Sequence, residues 1–108
     1  MKKVKIVVFV PNTHTEKLLK SIGEAGGGII GNYSFCSFVC SGTGRFKPNE
    51  KANPFIGKSE KINEVCEDRV EFVCARGKAK AIISKIKQVH PYEETALDIY
   101  PLIDEREL

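Results

Sequence analysis

Three observations predict an α+β sandwich with the element order βαββαβ. Two stretches repeat apolar residues at helical spacing: Leu18, Leu19, Ile22 and Ala25, then Ala79, Ile82, Ile83, Ile86 and Val89. Segments rich in β-branched and aromatic residues precede and follow each of them. Glycine and proline fall at the junctions, as breakers should. The chain has 108 residues, 42% hydrophobic and 29% charged, with a formal charge of +3. One domain spanning 1–108 is the expectation at that length.

Lys3 to Val10 reads as the first strand, nearly continuous in Val and Ile and therefore central and covered. Pro11 ends it. Thr13 offers a helix N-cap, and Glu16 three residues on completes a capping-box pattern. Gly26-Gly27-Gly28 stops that helix, with Gly26 placed as the left-handed cap. The second strand is predicted over Ile29–Ser41 from Tyr33, Phe35, Phe38 and Val39. Residues 42–59 are rich in Gly, Pro, Asn and Lys and read as a long loop, a length that is often functional.

The third strand is predicted from about Glu60 to Ala75, its second half alternating Val70, Phe72 and Cys74 with Arg69, Glu71 and Val73. Gly77 starts the second helix, and His90-Pro91 ends it, because the residue before proline is pushed out of helical geometry. Glu93 to Tyr100 is the fourth strand, stopped by Pro101; residues 103–108 read as a frayed tail. This order is the ferredoxin-like plan, a four-stranded antiparallel sheet with two helices on one face. The plan brings Asn12–His14, the long loop and His90–Glu94 to one end of the domain, although they are distant in sequence. The second strand falls at a sheet edge, where a long aromatic strand invites pairing with another chain.

Several function classes drop out. No stretch approaches the ~20 uninterrupted apolar residues of a membrane span, so no membrane contact is expected and the cytoplasm is the expected compartment. Cys36 and Cys40, on one strand, would stand roughly 13 Å apart, too far to share a metal ion. Cys66 and Cys74 are further apart still, and no Cys-x-x-Cys pair exists, so a structural zinc site is not expected. Thiols at strand positions in a reducing compartment act as small apolar fillers. Gly26 to Gly31 spells GxGxxG but follows a helix and precedes a strand, the reverse of a dinucleotide fingerprint. Helix two is basic (Lys78, Lys80, Lys85, Lys87), yet no aromatics interleave with it and strand three is acidic, so nucleic acid is not an expected partner. No residue is placed to activate a nucleophile.

Two groups carry candidate chemistry. His14 and His90 are the only histidines, and with Glu93 and Glu94 they form a candidate first shell for a divalent metal ion. The plainer reading makes His14 a helix-start residue and leaves His90 at a helix C-terminus, where partial negative charge favours it. Gly42, Gly44 and Arg45 could cradle an anionic group with backbone N–H groups and one cation. The plainer reading there is a hairpin tip.

The strings GGGIIGNYSFCSF (26–38), GTGRFKPNEKANPFIG (42–57), EVCEDRVE (64–71) and HPYEETALDIYPL (90–102), with VPNTH (10–14), cover most of the chain. They resemble the inserted domain of the dinuclear-metal-centre proteins named after the NGG-interacting factor three. That domain is similar to CutA-like copper-tolerance and P-II-like signalling proteins. The resemblance implies the ferredoxin-like plan, a homo-oligomer (a trimer first, a dimer second), and Asn53 and Tyr92 as further ligand contacts within specific motifs. Thr95 stands where the family string has proline, and Gly27 replaces alanine; neither removes a ligand-type side chain. A standalone module without the flanking catalytic lobes is expected, so the enzyme names of larger relatives are not carried over. The sequence therefore predicts a non-enzymatic binding or regulatory module for a divalent metal or small ligand. The alternatives are a structural assembly domain or a P-II-like nucleotide sensor.

Overall fold

The computed structural model describes residues 2–108. Its elements run β1 (Lys3–Pro11), α1 (Thr15–Glu24), β2 (Phe38–Phe46), β3 (Asn63–Ala75), α2 (Arg76–Val89) and β4 (Leu97–Pro101). A short 3-10 turn, Glu105–Glu107, follows. The four strands form one sheet in the order β2-β3-β1-β4, with every adjacent pair antiparallel. This is the ferredoxin-like α+β fold. β1 is central and β2 is an edge, as the Val-rich run and the order of elements require.

Register explains the burial. Val4, Ile6, Val8 and Val10 of β1 pair with Cys74, Phe72, Val70 and Asp68 of β3. These alternate residues share one face. Leu18 and Ile22 of α1, and Ala79, Ile82 and Ile86 of α2, pack onto that face to make the core. The helix stripes read from sequence are thus the stripes that are buried. No helix among the described residues is long and apolar enough to cross a membrane.

Helix ends are set as proline and glycine dictate. α2 stops at Val89, and His90 takes extended geometry before Pro91. After α1, Gly26 adopts φ +93°. The capping box expected at Thr13 does not form. His14 is the N-cap, without a side-chain cap bond, and Thr13 Oγ1 instead lies 2.8 Å from His14 Nδ1.

The largest departure is β2. It occupies Phe38–Phe46, not Ile29–Ser41. Ile29, Ile30, Tyr33 and Phe35 sit in an exposed loop before it, closed by an Ile30–Tyr33 bridge and a donated bond from the Cys36 N–H to the Gly28 carbonyl (2.8 Å). Strand propensity reports the fit of a side chain to a half-buried pleat, and these residues never reach the sheet. Cys36 therefore shares no strand with Cys40, and all four cysteines are free. Gly42, Gly44 and Arg45, expected in the long loop, lie in β2 opposite Glu67, Val65 and Glu64. The loop is correspondingly 47–62. β4 is shorter than expected, starting at Leu97. The tail carries the 3-10 turn: Asp104 caps it by accepting from the Arg106 N–H at 2.9 Å, and Glu107 reaches back to the Asp104 N–H.

Candidate functional site

Three sequence-distant segments meet at the end of the sheet where β1 finishes. The end of β2 with the loop that continues it, Glu67 of β3 and the segment following α2 enclose a cleft of about 560 Å³. Its lining includes Arg45, Phe46, Lys47, Lys51, Phe55, Ile56, Glu67, Tyr92, Glu93 and Glu94. His14 lies beside it, its ring edge-on to Phe55 with centroids 5.6 Å apart. The Asn53 N–H donates to both carboxylate oxygens of Glu93, at 3.2 and 3.1 Å. The long loop is thus pinned to the post-helix segment by one carboxylate.

His90 organises this end. β4 pairs with β1 only as far as Leu97–Val8. One step beyond, the Phe9 N–H still finds the Ala96 carbonyl at 3.1 Å, but the ladder has ended. His90 Nε2 lies 2.6 Å from the Phe9 carbonyl oxygen, and Nδ1 accepts from the Tyr92 N–H at 3.1 Å. The Tyr92 bond requires an unprotonated Nδ1, so Nε2 carries the proton and donates to Phe9. His90 is 7% exposed. Burial pushes its pKa below the usual histidine value, outweighing the Phe9 carbonyl and the nearby Glu67, which favour the charged form. His90 is therefore a neutral imidazole completing a strand end.

Tyr92 carries the geometry onward. Its O–H donates to Glu67 Oε2 at 2.8 Å. Its ring lies 6.1 Å from Phe46 and 5.1 Å from His90. Burial, with the Glu67 carboxylate beside it, raises the phenol pKa far above its ordinary value. The Glu67 carboxylate lies against Gly44, where a Cβ would collide with it. Next along β3, Asp68 turns to the helix side at 8% exposure, accepting from Thr15 Oγ1 at 2.6 Å and Ser41 Oγ at 2.9 Å. One carboxylate thereby joins β3, α1 and β2.

The structure places Asn53, Arg45, Tyr92, Glu93 and Glu94 around the cleft and His14 at its side. It does not assemble the expected metal shell. Both His90 nitrogens are engaged and Glu93 is tied to Asn53. Among the described residues no three His, Cys, Asp or Glu side chains are grouped to hold an ion. Nor do Gly42 and Gly44 form an anion nest, since they belong to a paired strand. Sequence reasoning missed Glu67, Phe46 and Phe55 as cleft residues. The β2–β3 register pairs Glu67 with Gly42 and lets its carboxylate lie against Gly44, a long-range pairing that no local pattern encodes.

The element and sheet order define a ferredoxin-like α+β domain. No family model matches the chain. It is 48% identical over 103 residues to the GTP cyclohydrolase 1 type 2 homolog of Halalkalibacterium halodurans, a match spanning 95% of this chain and 28% of that protein. Against the homolog of Bacillus subtilis the identity is 44%, over 91% of this chain and 26% of that protein. A Bacillus cereus protein related to NIF3 superposes with a TM-score of 0.84 at 41% identity, over 95% of this chain and 26% of that one. Two more distant structures share the fold. The periplasmic divalent cation tolerance protein CutA of Archaeoglobus fulgidus has a TM-score of 0.67 at 14% identity, over 93% of this chain and 83% of that one. The Bacillus subtilis GlnK–ATP complex has a TM-score of 0.63 at 14% identity, over 92% and 80%. The chain is homologous to a domain-sized segment of the NIF3-related GTP cyclohydrolase 1 type 2 homologs, and spans just over a quarter of their length.

Proposed function

We propose that the chain is a non-enzymatic, oligomeric binding or regulatory module whose ligand occupies the cleft between the 47–62 loop and the Tyr92–Glu94 segment. One observation carries this reading: residues 45–56, Glu67 of β3 and residues 92–96 converge on a cleft of about 560 Å³, within the range of small-molecule sites. The engaged His90 argues for an organic ligand over a divalent cation. The matched segment's likeness to nucleotide-bound GlnK keeps a nucleotide as the second reading.

Assembly follows from the sheet. β2 and β4 are both free edges, and Phe38, Val39, Ile99 and Tyr100 on them are exposed. Two unlike edges favour head-to-tail contacts, which close into rings; a trimer is the favoured ring and a dimer the alternative. Light scattering after size exclusion tests this part: a strict monomer at micromolar concentration would refute it. Calorimetry tests the binding part, with adenine nucleotides and divalent cations titrated into wild type and Tyr92→Ala. Heat that Tyr92→Ala abolishes supports the cleft, whereas identical heats place any binding elsewhere.

A further inference from the structure

We propose that residues 48–60 form a hinged flap bordering the cleft, and that the Glu93 carboxylate is the latch that holds it shut. The proposal rests on the reading of the cleft as a ligand site and adds how that site opens and closes. The flap is a closed unit. The Glu60 N–H donates to the Pro48 carbonyl at 2.7 Å, which ties its two ends together. Asn63, the first residue of β3, braces the neck. Its side chain accepts from the Lys58 N–H at 3.1 Å and donates to the Lys58 and Lys61 carbonyls at 3.0 and 2.9 Å. Within the flap, Asn49 accepts from the Lys51 N–H on its side chain at 2.9 Å and from the Ala52 N–H on its carbonyl at 3.2 Å. A loop whose ends meet and whose bonds are its own can keep its shape while it turns.

The sheet supplies the hinge. The rungs from Thr43–Cys66 to Phe46–Asn63 join β2 and β3 only to each other, because the β1–β3 register ends at Glu67. The flap is thus mounted on a two-stranded ribbon that has left the four-stranded sheet. Such a ribbon is marginally stable by itself, and so it is the compliant part of the mounting.

Two holds fix the flap to the body. The Asn53 N–H donates to both Glu93 carboxylate oxygens, and the Phe55 ring meets His14 edge-on. Among the described residues no other hydrogen bond or ion pair runs from the flap to the chain beyond its neck. The flap and the Tyr92–Glu94 segment both line the cleft, and the Asn53–Glu93 bond is the one that joins them. Releasing it frees one lining segment from the other. A ligand that touches both segments favours the latched form, because it makes contacts there that the open form lacks. Glu93 is therefore a positioning residue for the cleft. Its neighbour Glu94 lines the same cleft without a hydrogen-bond partner among the described residues, and serves as the control.

Amide hydrogen exchange and nuclear magnetic resonance of wild type, Glu93→Ala and Glu94→Ala, without any ligand, test the latch. In Glu93→Ala the Asn53 amide should exchange about tenfold faster, the worth of one hydrogen bond to a charged acceptor. The His14 ring resonances should lose the shift that the Phe55 ring imposes. The amides of Lys58 and Glu60, bonded at the neck, should keep their wild-type rates. Glu94→Ala should change none of the three. An Asn53 amide or a His14 ring that stays at its wild-type value overturns the proposal. So do Lys58 and Glu60 amides that speed up with Asn53, since the loop then melts instead of turning. Equal changes in Glu94→Ala also overturn it, because they make the effect one of charge alone. These readouts need no ligand and separate the flap from the cleft. A latch that behaves as expected beside calorimetry without heat sinks the ligand site alone, and binding heat beside an unmoved flap sinks the latch alone.

Discussion

Replacing His90 by Ala should cost about 2–4 kcal/mol of stability. The figure comes from two groups that lose their partner. The Phe9 carbonyl accepts the Nε2 proton at 2.6 Å, and the Tyr92 N–H donates to Nδ1 at 3.1 Å. A buried polar group left unpaired costs roughly 1–3 kcal/mol. Tyr92 is partly accessible and can recruit water, so its share is the smaller one. In a domain of this size each kcal/mol lowers Tm by about 4–8 °C, which makes the expected loss about 8–32 °C in a calorimetric scan. Gln at the same position can still donate to the Phe9 carbonyl and should recover part of the loss.

The same histidine sets a pH dependence. Its folded pKa lies below its unfolded value because burial disfavours the imidazolium. The unfolded state therefore binds the proton first as pH falls. Stability is complete above about pH 6.5, declines below it by at most ~1.4 kcal/mol per pH unit, and levels off below the folded pKa. His90→Gln should remove that acid-side slope. A His90→Ala loss under about 0.5 kcal/mol, or an unchanged slope in the Gln variant, would refute the assignment of a neutral, strand-completing role.

Further outcomes follow from the same contacts. Tyr92→Phe should cost about 1 kcal/mol by losing the Glu67 bond. It should also flatten an alkaline decline, since the raised phenol pKa means that the unfolded tyrosine releases its proton first and stability falls above about pH 10. Thr15→Ala removes one of two hydroxyls from the buried Asp68 carboxylate and should cost about 1.5–3 kcal/mol by urea denaturation, with Ser41→Ala costing less because its bond is longer and less buried. Gly28→Ala should impair folding severely, because φ is +79° and the added Cβ would strike the Cys36 backbone. Gly31→Ala, at φ +56° with open space, should cost only about 1 kcal/mol.

The legible parts of the fold are those where burial and local pattern agree. β1 is a run of Val and Ile because it is covered on its helix face and flanked by strands on both sides. α2 shows its stripe and its proline stop in plain sequence. The hidden parts are those where the two diverge. Tyr33 and Phe35 look like strand residues but serve an exposed loop, while Gly42 and Gly44 look like a loop but sit in an edge strand, where small residues are tolerated at the open side. Convergence of His14, Asn53 and Glu93 at one end was readable from element order, since order fixes which ends meet. The partners of His90 were not. A histidine before proline signals a helix end, but the orphan Phe9 carbonyl exists only because β4 starts late, and strand length is the least readable property of an element.

Gly42 and Gly44 also differ in what mutation can do to them. A Cβ at Gly42 meets nothing, whereas one at Gly44 would evict the Glu67 carboxylate, and with it the hydroxyl bond that steadies Tyr92. Two identical residues, two positions apart in one strand, are therefore under unequal constraint. In a saturation library position 42 should accept many substitutions, while position 44 should accept few unless position 67 shortens at the same time. The pair 44/67 would then drift together or not at all.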